Sequence, residues 1–232
     1  MIKITNLTKT FKLKKALNNF NLEVGQQEVV GILGPNGSGK STLMRIAAGL
    51  IPVSKGSLTI DDLQPGSESK ANVSYLSEVN AIPHGDTVID VMEFYSLFFE
   101  DFNKEQFLLS LESLKLDKEM KTKVRKLSKG MQQKLRLALT MARNAKIYLL
   151  DEPLGGIDPL AREEILDTLI DSMNEDSTMI ITTHLVSEIE HIITRVVYIN
   201  EGQVLGDYEC EKLRMDEGVS IEEKYKEVFK NV

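Results

Sequence analysis

A glycine-rich turn between a strand pattern and a helix pattern constrains the fold of this chain more than any other feature. Residues 28–33 form a short, mostly apolar run that is typical of a buried strand. Residues 34–41 read GPNGSGKS, and a helical pattern runs from Lys40 to Gly49, where a glycine is a suitable stop. Strand–helix alternation resumes after residue 145. Such alternation implies a mainly parallel sheet with helices on both faces.

The turn itself matches the phosphate-binding pattern G-x-x-x-x-G-K-[ST]. Phosphate oxygens need a ring of backbone N–H donors, and glycines permit the tight bend and close approach that this ring requires. The following helix points its partly positive N-terminus at the phosphates. We expect Lys40 to neutralise the terminal phosphates and the Ser41 hydroxyl to bind Mg²⁺. The nucleotide-binding residues expected here are Gly34, Asn36, Gly37, Ser38, Gly39, Lys40, Ser41 and Thr42.

The middle of the chain has a different character from its two ends. Residues 1–85 and 146–232 carry the strand patterns, whereas residues 86–145 are almost wholly helical, which indicates an inserted helical lobe. One helical face of this lobe is apolar and partly aromatic. Packing into the core is the favoured interpretation of the face, and a groove for a membrane subunit is the alternative. The face comprises Val88, Val91, Met92, Tyr95, Phe98, Phe99 and Phe102.

Two adjacent acids follow the apolar run at residues 147–150. A buried strand would bring Asp151 to the carboxyl edge of the sheet, beside the Mg²⁺ bound by Ser41. Glu152 comes next and can face the terminal phosphate, where it would act as general base towards an attacking water. An ordinary strand-to-turn junction is the alternative interpretation of this Asp-Glu-Pro sequence.

Composition excludes several classes of protein. The formal net charge of −7 argues against a general nucleic-acid binder, so no nucleic acid is expected as partner. No apolar run approaches the roughly 18 residues that cross a bilayer, and the N-terminus lacks the apolar core of a signal peptide. The single cysteine, Cys210, has no partner for an internal disulfide and suits a reducing compartment. We therefore expect a chain that is soluble by itself.

Residues 127–134 read LSKGMQQK. This segment resembles the signature motif of ATP-binding-cassette (ABC) proteins, usually L-S-G-G-Q, of which Lys-Gly-Met is a variant found in one exporter branch. Ser128 can cap the helix that follows, and Gly130 leaves room for phosphate. A plain helix start is the alternative interpretation of Ser128.

Further family elements follow in order along the chain. Phe11 stands where the family's A-loop aromatic stacks on adenine, Asp158 ends a segment that resembles the D-loop, and His184 resembles the switch histidine that contacts the γ-phosphate. Together these motifs resemble those of the ATP-binding subunit of an ABC transporter, of the exporter-type multidrug or peptide branch.

That resemblance implies an α/β P-loop NTPase (RecA-like) core formed by residues 1–85 and 146–232. It also implies an N-terminal antiparallel β subdomain and a helical subdomain at 86–145, all within a single cassette domain. ATP is the implied substrate, with Mg²⁺ as cofactor. The implied catalytic residues are Glu152, His184 and Lys40, and the implied metal ligands are Ser41, Asp151 and Glu78.

Two partners are also implied by the resemblance. One is a second cassette, identical or homologous, and the other is a transmembrane permease. The permease would hold the chain at the cytoplasmic face of the cell membrane, and the transported compound would be a drug, peptide or lipid-like molecule moving outwards. The residues implied to contact the second cassette are Ser128, Gly130, Met131 and Asp158.

The sequence departs from the family pattern at three places. Glu78 stands where the Q-loop usually has glutamine, and although a carboxylate can bind Mg²⁺ it adds negative charge near phosphates. The D-loop segment lacks the serine common in the family and begins with Gly155 and Gly156, and Lys129 replaces a signature glycine.

Three other functions compete with transport. A soluble ABC ATPase acting on a protein assembly has the same motifs. A nucleotide-binding regulator without turnover is disfavoured by the intact Lys40, Asp151, Glu152 and His184. A small-molecule kinase would explain the phosphate loop but has no use for the signature segment.

Overall fold

Nine strands form two sheets in the computed structural model of the protein, which describes residues 1–77, 82–83, 85–173 and 176–230. The first sheet is antiparallel, with the order β2-β1-β4, and the second has the order β5-β6-β7-β3-β8-β9. The strands are β1 Ile2–Phe11, β2 Lys14–Val24, β3 Val29–Leu33, β4 Lys55–Ile60, β5 Val73–Leu76, β6 Ile147–Asp151, β7 Thr178–Thr183, β8 Arg195–Asn200 and β9 Gln203–Glu209.

The helices connect and cover these strands. They are α1 Lys40–Ala47, α2 Ser67–Lys70, α3 Val88–Phe98, α4 Lys104–Ser113, α5 Lys129–Met141, α6 Pro159–Asp171, α7 Val186–Ile189, α8 Cys210–Lys212 and α9 Ile221–Phe229. Short 3₁₀ turns lie at Asp117–Glu119 and Val124–Lys126, and a π-helical turn lies at Leu213–Glu217. The expected mainly parallel sheet is confirmed, since in the described part of the six-stranded sheet only β9 runs antiparallel to its neighbour.

Each face of the six-stranded sheet has its own hydrophobic core. Because side chains alternate along a strand, Val29 and Leu33 of β3 belong to one core while Val30 and Ile32 belong to the other. One core is closed by α1 and the antiparallel sheet, and the other by α3 to α7 and α9. The sheet is therefore covered on both faces. The loops that follow β3, β6 and β7 lie at the carboxyl edge of the sheet.

The apolar face expected in the helical lobe packs into the core at five of its seven residues, and Phe98 and Phe99 are the exceptions. Val88, Val91 and Met92 are buried, and Tyr95 packs against the same core. Phe98 does not share this face: its ring is 66% exposed and stacks on Phe94 with the ring centres 4.6 Å apart. The two rings are four residues apart, so they lie above one another on the outer side of α3.

The bounds of helices and strands differ most from the sequence predictions where the local residue pattern is weak. The residue pattern predicts a helix at residues 185–192, whereas α7 covers only Val186–Ile189. The pattern also predicts strands at residues 2–5 and 20–24, and β1 and β2 are longer because each pairs with a neighbour over nearly its whole length. Pairing with β1 supplies backbone hydrogen bonds to polar residues of β2 that no alternation pattern marks as a strand.

Candidate nucleotide and hydrolysis site

The phosphate loop lies between β3 and α1 and is held by backbone contacts that only glycine allows. A Cβ on Gly34 would lie 2.1 Å from the Ile199 carbonyl oxygen, and a Cβ on Gly39 would lie 2.5 Å from that of Ala16. Gly39 also has a φ of 113°, which disfavours other residues. The Ser38 carbonyl accepts from the Gly202 amide at 2.8 Å. The β8–β9 turn thus supports the loop from behind.

Helix α1 begins at this loop, and no side chain among the described residues caps its N-terminus. Gly39 is the N-cap, and the first turn carries no acid. The Lys40 Nζ donates to the Gly34 carbonyl at 2.7 Å and lies 3.8 Å from Glu152 Oε1. The loop amides, a helix N-terminus and an ammonium group together form an anion site of the kind that phosphate requires.

Asp151 is fully buried at the end of β6 and its two oxygens differ. Oδ1 accepts from Ser41 Oγ at 3.0 Å and from Thr182 Oγ1 at 2.6 Å. Oδ2 has no hydrogen-bond partner among the described residues. A buried carboxylate oxygen without a donor is costly unless a cation faces it. Ser41 and Asp151 supply the hard oxygen ligands that Mg²⁺ prefers, so these residues fit that metal.

Glu152 follows in a strained conformation, with a φ of 49°. Its amide donates to the Thr182 carbonyl at 3.0 Å, which continues the β6–β7 pairing one residue beyond Asp151. The Glu152 carboxylate accepts from His184, whose Nδ1 lies 3.1 Å from each oxygen. The three residues expected for catalysis, Lys40, Glu152 and His184, are therefore brought together.

Two cavities meet at Glu152. The larger, of about 430 Å³, extends along the phosphate loop to Phe11, and the smaller, of about 300 Å³, contains Asn36 and His184 in its wall. The Phe11 ring is 48% exposed, and Lys9 Nζ lies 5.1 Å from its centre, within cation–π range. The larger cavity is lined by Phe11, Lys14, Ala16, Asn36, Gly37, Gly39, Lys40, Ser41, Thr42 and Glu152.

The four residues expected to contact a second cassette lie apart from these cavities. Ser128 is exposed at the N-cap of α5, where its Oγ accepts from the Met131 amide at 3.2 Å. Asp158 is exposed at the N-cap of α6 and accepts from the Ala161 amide at 3.1 Å. The position of a Cβ on Gly130 is 3.8 Å from the Ile157 side chain, so the two helix starts adjoin. Within the part of the chain that the structure describes, neither cavity is lined by any of the four.

Two residues with side chains that can bind metal lie outside the described residues. They are Glu78, which was expected as a metal ligand, and His84. The role of Glu78 stays a prediction.

In the described ranges, no helix is both long and apolar enough to cross a membrane.

A comparison with protein families identifies the chain. The family described as ABC transporter matches residues 17–155, which is more than half of the sequence. The chain belongs to the ABC transporter family. It is an ATP-binding, ATP-hydrolysing cassette, and the family-based expectation from its motifs is confirmed.

Curated relatives of the cassette cover most of it. It is 33% identical to the glutamine transport ATP-binding protein GlnQ of Escherichia coli K12, over 89% of this chain and 90% of that protein. It is 29% identical to the lantibiotic transport ATP-binding protein SrtF of Streptococcus pyogenes, over 88% and 89%. It is also 29% identical to the Nod factor export ATP-binding protein I of Rhizobium leguminosarum, over 89% and 68%.

Solved structures agree with the fold of the cassette. The ATP-binding subunit of an ABC transporter superposes with a TM-score of 0.86 at 21% identity, over 98% of this chain and 99% of that one. A bacterial ABC transporter cassette, solved as a dimer, superposes with a TM-score of 0.81 at 26% identity, over 90% and 98%. The expected α/β fold with its antiparallel β part and helices is confirmed.

Several residues of the cassette site were not singled out from the sequence. Thr182 bridges Asp151 and Glu152, and a polar pair at the end of the apolar run 178–181 is the signal that could have found it. Gln133 and Arg136 line the smaller cavity, although they lie in α5, which was expected to serve the partner cassette. Their helical spacing of three residues places them on one face, but nothing local shows that this face meets Glu152.

Proposed function

We propose that this cassette binds ATP with Mg²⁺, hydrolyses it at an interface with a second cassette, and powers a separate membrane subunit. The observation that carries the proposal is the separation of two half-sites on one chain. Lys40, Asp151, Glu152 and His184 lie together beside the phosphate loop, whereas Ser128 is exposed at the N-cap of α5 and, among the described residues, lines neither of the two cavities at Glu152. A second copy, turned to face the first, would complete both sites. The related bacterial cassette solved as a dimer supports this arrangement.

The proposed hydrolysis uses groups already in position. The loop amides and Lys40 bind the phosphates, and Glu152 accepts a proton from water as the water oxygen attacks the γ-phosphorus. The bond from that phosphorus to the bridging oxygen breaks, and ADP and phosphate form. His184 holds the Glu152 carboxylate. Ser41 and Asp151 would hold Mg²⁺, which would neutralise phosphate charge when bound.

Binding of ATP between two cassettes would do mechanical work, because the nucleotide touches both copies only in the closed dimer. Closure would move the attached permease, and hydrolysis would release it. We place the permease contact on the outer side of α3, where Leu97 is 84% exposed beside Phe94 and Phe98. Residues 86–145 would act as the helical subdomain that carries this contact.

Export of a drug, peptide or lipid-like compound is the proposed direction. The Lys-Gly-Met signature and the relative named for Nod factor export support it. The relative named for glutamine transport shows that overall similarity alone does not decide the substrate. Purification of the native complex in detergent tests this step: a co-purifying membrane chain supports transport, and soluble assembly proteins in its place would contradict it.

The two-cassette site is tested with Glu152→Gln, which keeps the shape of the side chain but removes the base. We expect ATP binding to persist and turnover to fall by about 10² to 10⁴. Light scattering should show a dimer with ATP and Mg²⁺, and Ser128→Arg in the same background should return it to a monomer. Glu163→Gln, on the exposed side of α6, is the matched control. A Glu152→Gln protein that stays monomeric with ATP and Mg²⁺ would overturn the sandwich.

A further inference from the structure

The signature helix α5 reaches the hydrolysis cavity through two side chains on one face. Gln133 is 4% exposed, and its Nε2 donates to the Pro153 carbonyl at 2.8 Å. Its Oε1 accepts from Arg136, whose other terminal nitrogen donates to the Ser77 carbonyl at 2.8 Å. A continuous chain of hydrogen bonds thus joins the loop after β5, helix α5 and the loop after β6.

This chain of bonds ends beside Glu152. Pro153 is the next residue, so its carbonyl belongs to the turn in which Glu152 holds a φ of 49°. Two hydrogen bonds hold this turn: the Glu152 amide donates to the Thr182 carbonyl, and Gln133 donates to the Pro153 carbonyl. A non-glycine residue keeps such a conformation only when its surroundings hold it there. Gln133 and Arg136 also line the same cavity as Glu152 and His184.

Burial gives the pair its rigidity. The Gln133 amide is withdrawn from water, so loss of either of its partners would leave a buried polar group unsatisfied. The planar guanidinium group of Arg136 donates to Gln133 Oε1 and to the Ser77 carbonyl, which fixes the Gln133 amide in one orientation: oxygen towards Arg136, nitrogen towards Pro153. The hydrogen bond from Gln133 to the Pro153 carbonyl therefore depends on Arg136 as well as on Gln133.

We propose that Arg136 and Gln133 are positioning residues for hydrolysis, which act by holding Glu152 in its catalytic orientation. The inference rests on the proposed role of Glu152. Since Ser128 caps the N-terminus of α5, the pair would also link the surface proposed to meet the second cassette to the base that acts on the first cassette's own nucleotide. Displacement of α5 would release Pro153 and let the Glu152 turn relax.

Steady-state ATPase kinetics of the full chain test the pair through the separation of kcat from KM. Arg136→Met and Gln133→Leu should each lower kcat at least about 10-fold, because a small misplacement of a catalytic group has a large effect on rate. The KM for ATP should stay within about twofold, since neither residue lines the cavity along the phosphate loop. The double variant should be no slower than the slower single variant, because both act through the same bond. Arg136→Lys, which keeps the charge and one direction of donation, should recover part of kcat.

Arg214→Met is the matched control, since Arg214 is exposed and donates to the Glu190 carbonyl far from the cavity. Unchanged kcat in Arg136→Met, a raised KM with normal kcat, or fully additive losses in the double variant would each overturn the inference. If Arg136→Met unfolds at the assay temperature, Gln133→Leu and Arg136→Lys provide the same comparison.

The Glu152→Gln variant separates this inference from the function on which it rests. Normal turnover in Glu152→Gln means that the proposed catalytic role fails. Loss of turnover in Glu152→Gln together with normal turnover in Arg136→Met means that only the positioning role fails. In the Glu152→Gln background, Arg136→Met should not lower the residual rate further.

Discussion

His184 Nδ1 lies 3.1 Å from both carboxylate oxygens of Glu152, across the gap between the loops that follow β7 and β6. An ionised carboxylate only accepts hydrogen bonds, so this geometry assigns the Nδ1 proton to His184 as the donor. The imidazole therefore orients the Glu152 carboxylate from the loop that follows β7.

His184→Ala should lower kcat roughly 10- to 100-fold, because Glu152 loses the donor that fixes its carboxylate. His184→Gln, which can still donate one hydrogen bond, should lose less. Phosphate release measures both variants. His191→Ala is the control, as His191 is exposed after α7. Equal turnover in His184→Ala and the unaltered protein would contradict the role of this contact.

Asp151→Asn should change the Mg²⁺ requirement more than the fold. The amide keeps an oxygen for Ser41 and Thr182 but loses the charge of the buried Oδ2. Half-maximal turnover should need roughly 10- to 100-fold more free Mg²⁺, the usual effect of altering a group that supports a bound metal. Turnover measured across a Mg²⁺ titration checks this. Asp167→Asn, on the exposed side of α6, should leave the titration unchanged, and an unchanged curve for Asp151→Asn would rule out the metal site.

Phe11→Ala should weaken ATP binding while leaving kcat nearly intact. Stacking of a base on an aromatic ring contributes about 1–3 kcal/mol, so the dissociation constant should rise roughly 5- to 150-fold. Phe11→Tyr should bind normally. Titration with a fluorescent ATP analogue measures the change, and Leu13→Ala, at the fully exposed tip of the same hairpin, is the control. If Phe11→Ala binds as tightly as the unaltered chain, adenine stacks elsewhere.

Cys210 should make the stability of the fold depend on pH in the alkaline range. Burial raises the pKa of its thiol from 9.0 to about 11, because the folded protein disfavours the thiolate. The unfolded chain releases this proton first, so the contribution of the thiol is complete below pH 9 and is lost as pH rises through about 11. Urea unfolding at several pH values checks this: the unaltered chain should lose stability over that range relative to Cys210→Ala.

A second readout uses the fact that the sequence has a single cysteine. The folded thiol should react slowly with a maleimide at pH 7, and addition of urea should make it react fast. Parallel pH curves for the unaltered chain and Cys210→Ala, or fast labelling of the native protein, would contradict the burial argument.

The phosphate loop is the part of the site that local sequence predicts best. Its glycines, Lys40 and Ser41 were assigned from spacing alone, since a tight anion-binding turn before a helix accepts few other residues. The exposure of Phe98 and the short α7 were not foreseen. In both cases tertiary packing decides which face is covered and where the helix ends, and a periodic pattern only gives a preference.

The sequence by itself determined which groups can do the chemistry: an anion-binding turn, two acids at the end of a strand, a switch histidine and a signature helix. Only the tertiary structure decided that these groups lie close together. Ser41 and Asp151 are 110 residues apart and touch because α1, which follows β3, packs across the face of the sheet onto β6, an arrangement that no local pattern encodes. Thr182, Gln133 and Arg136 join the site for the same reason: contacts between distant segments follow from how the layers pack, which depends on the whole core at once.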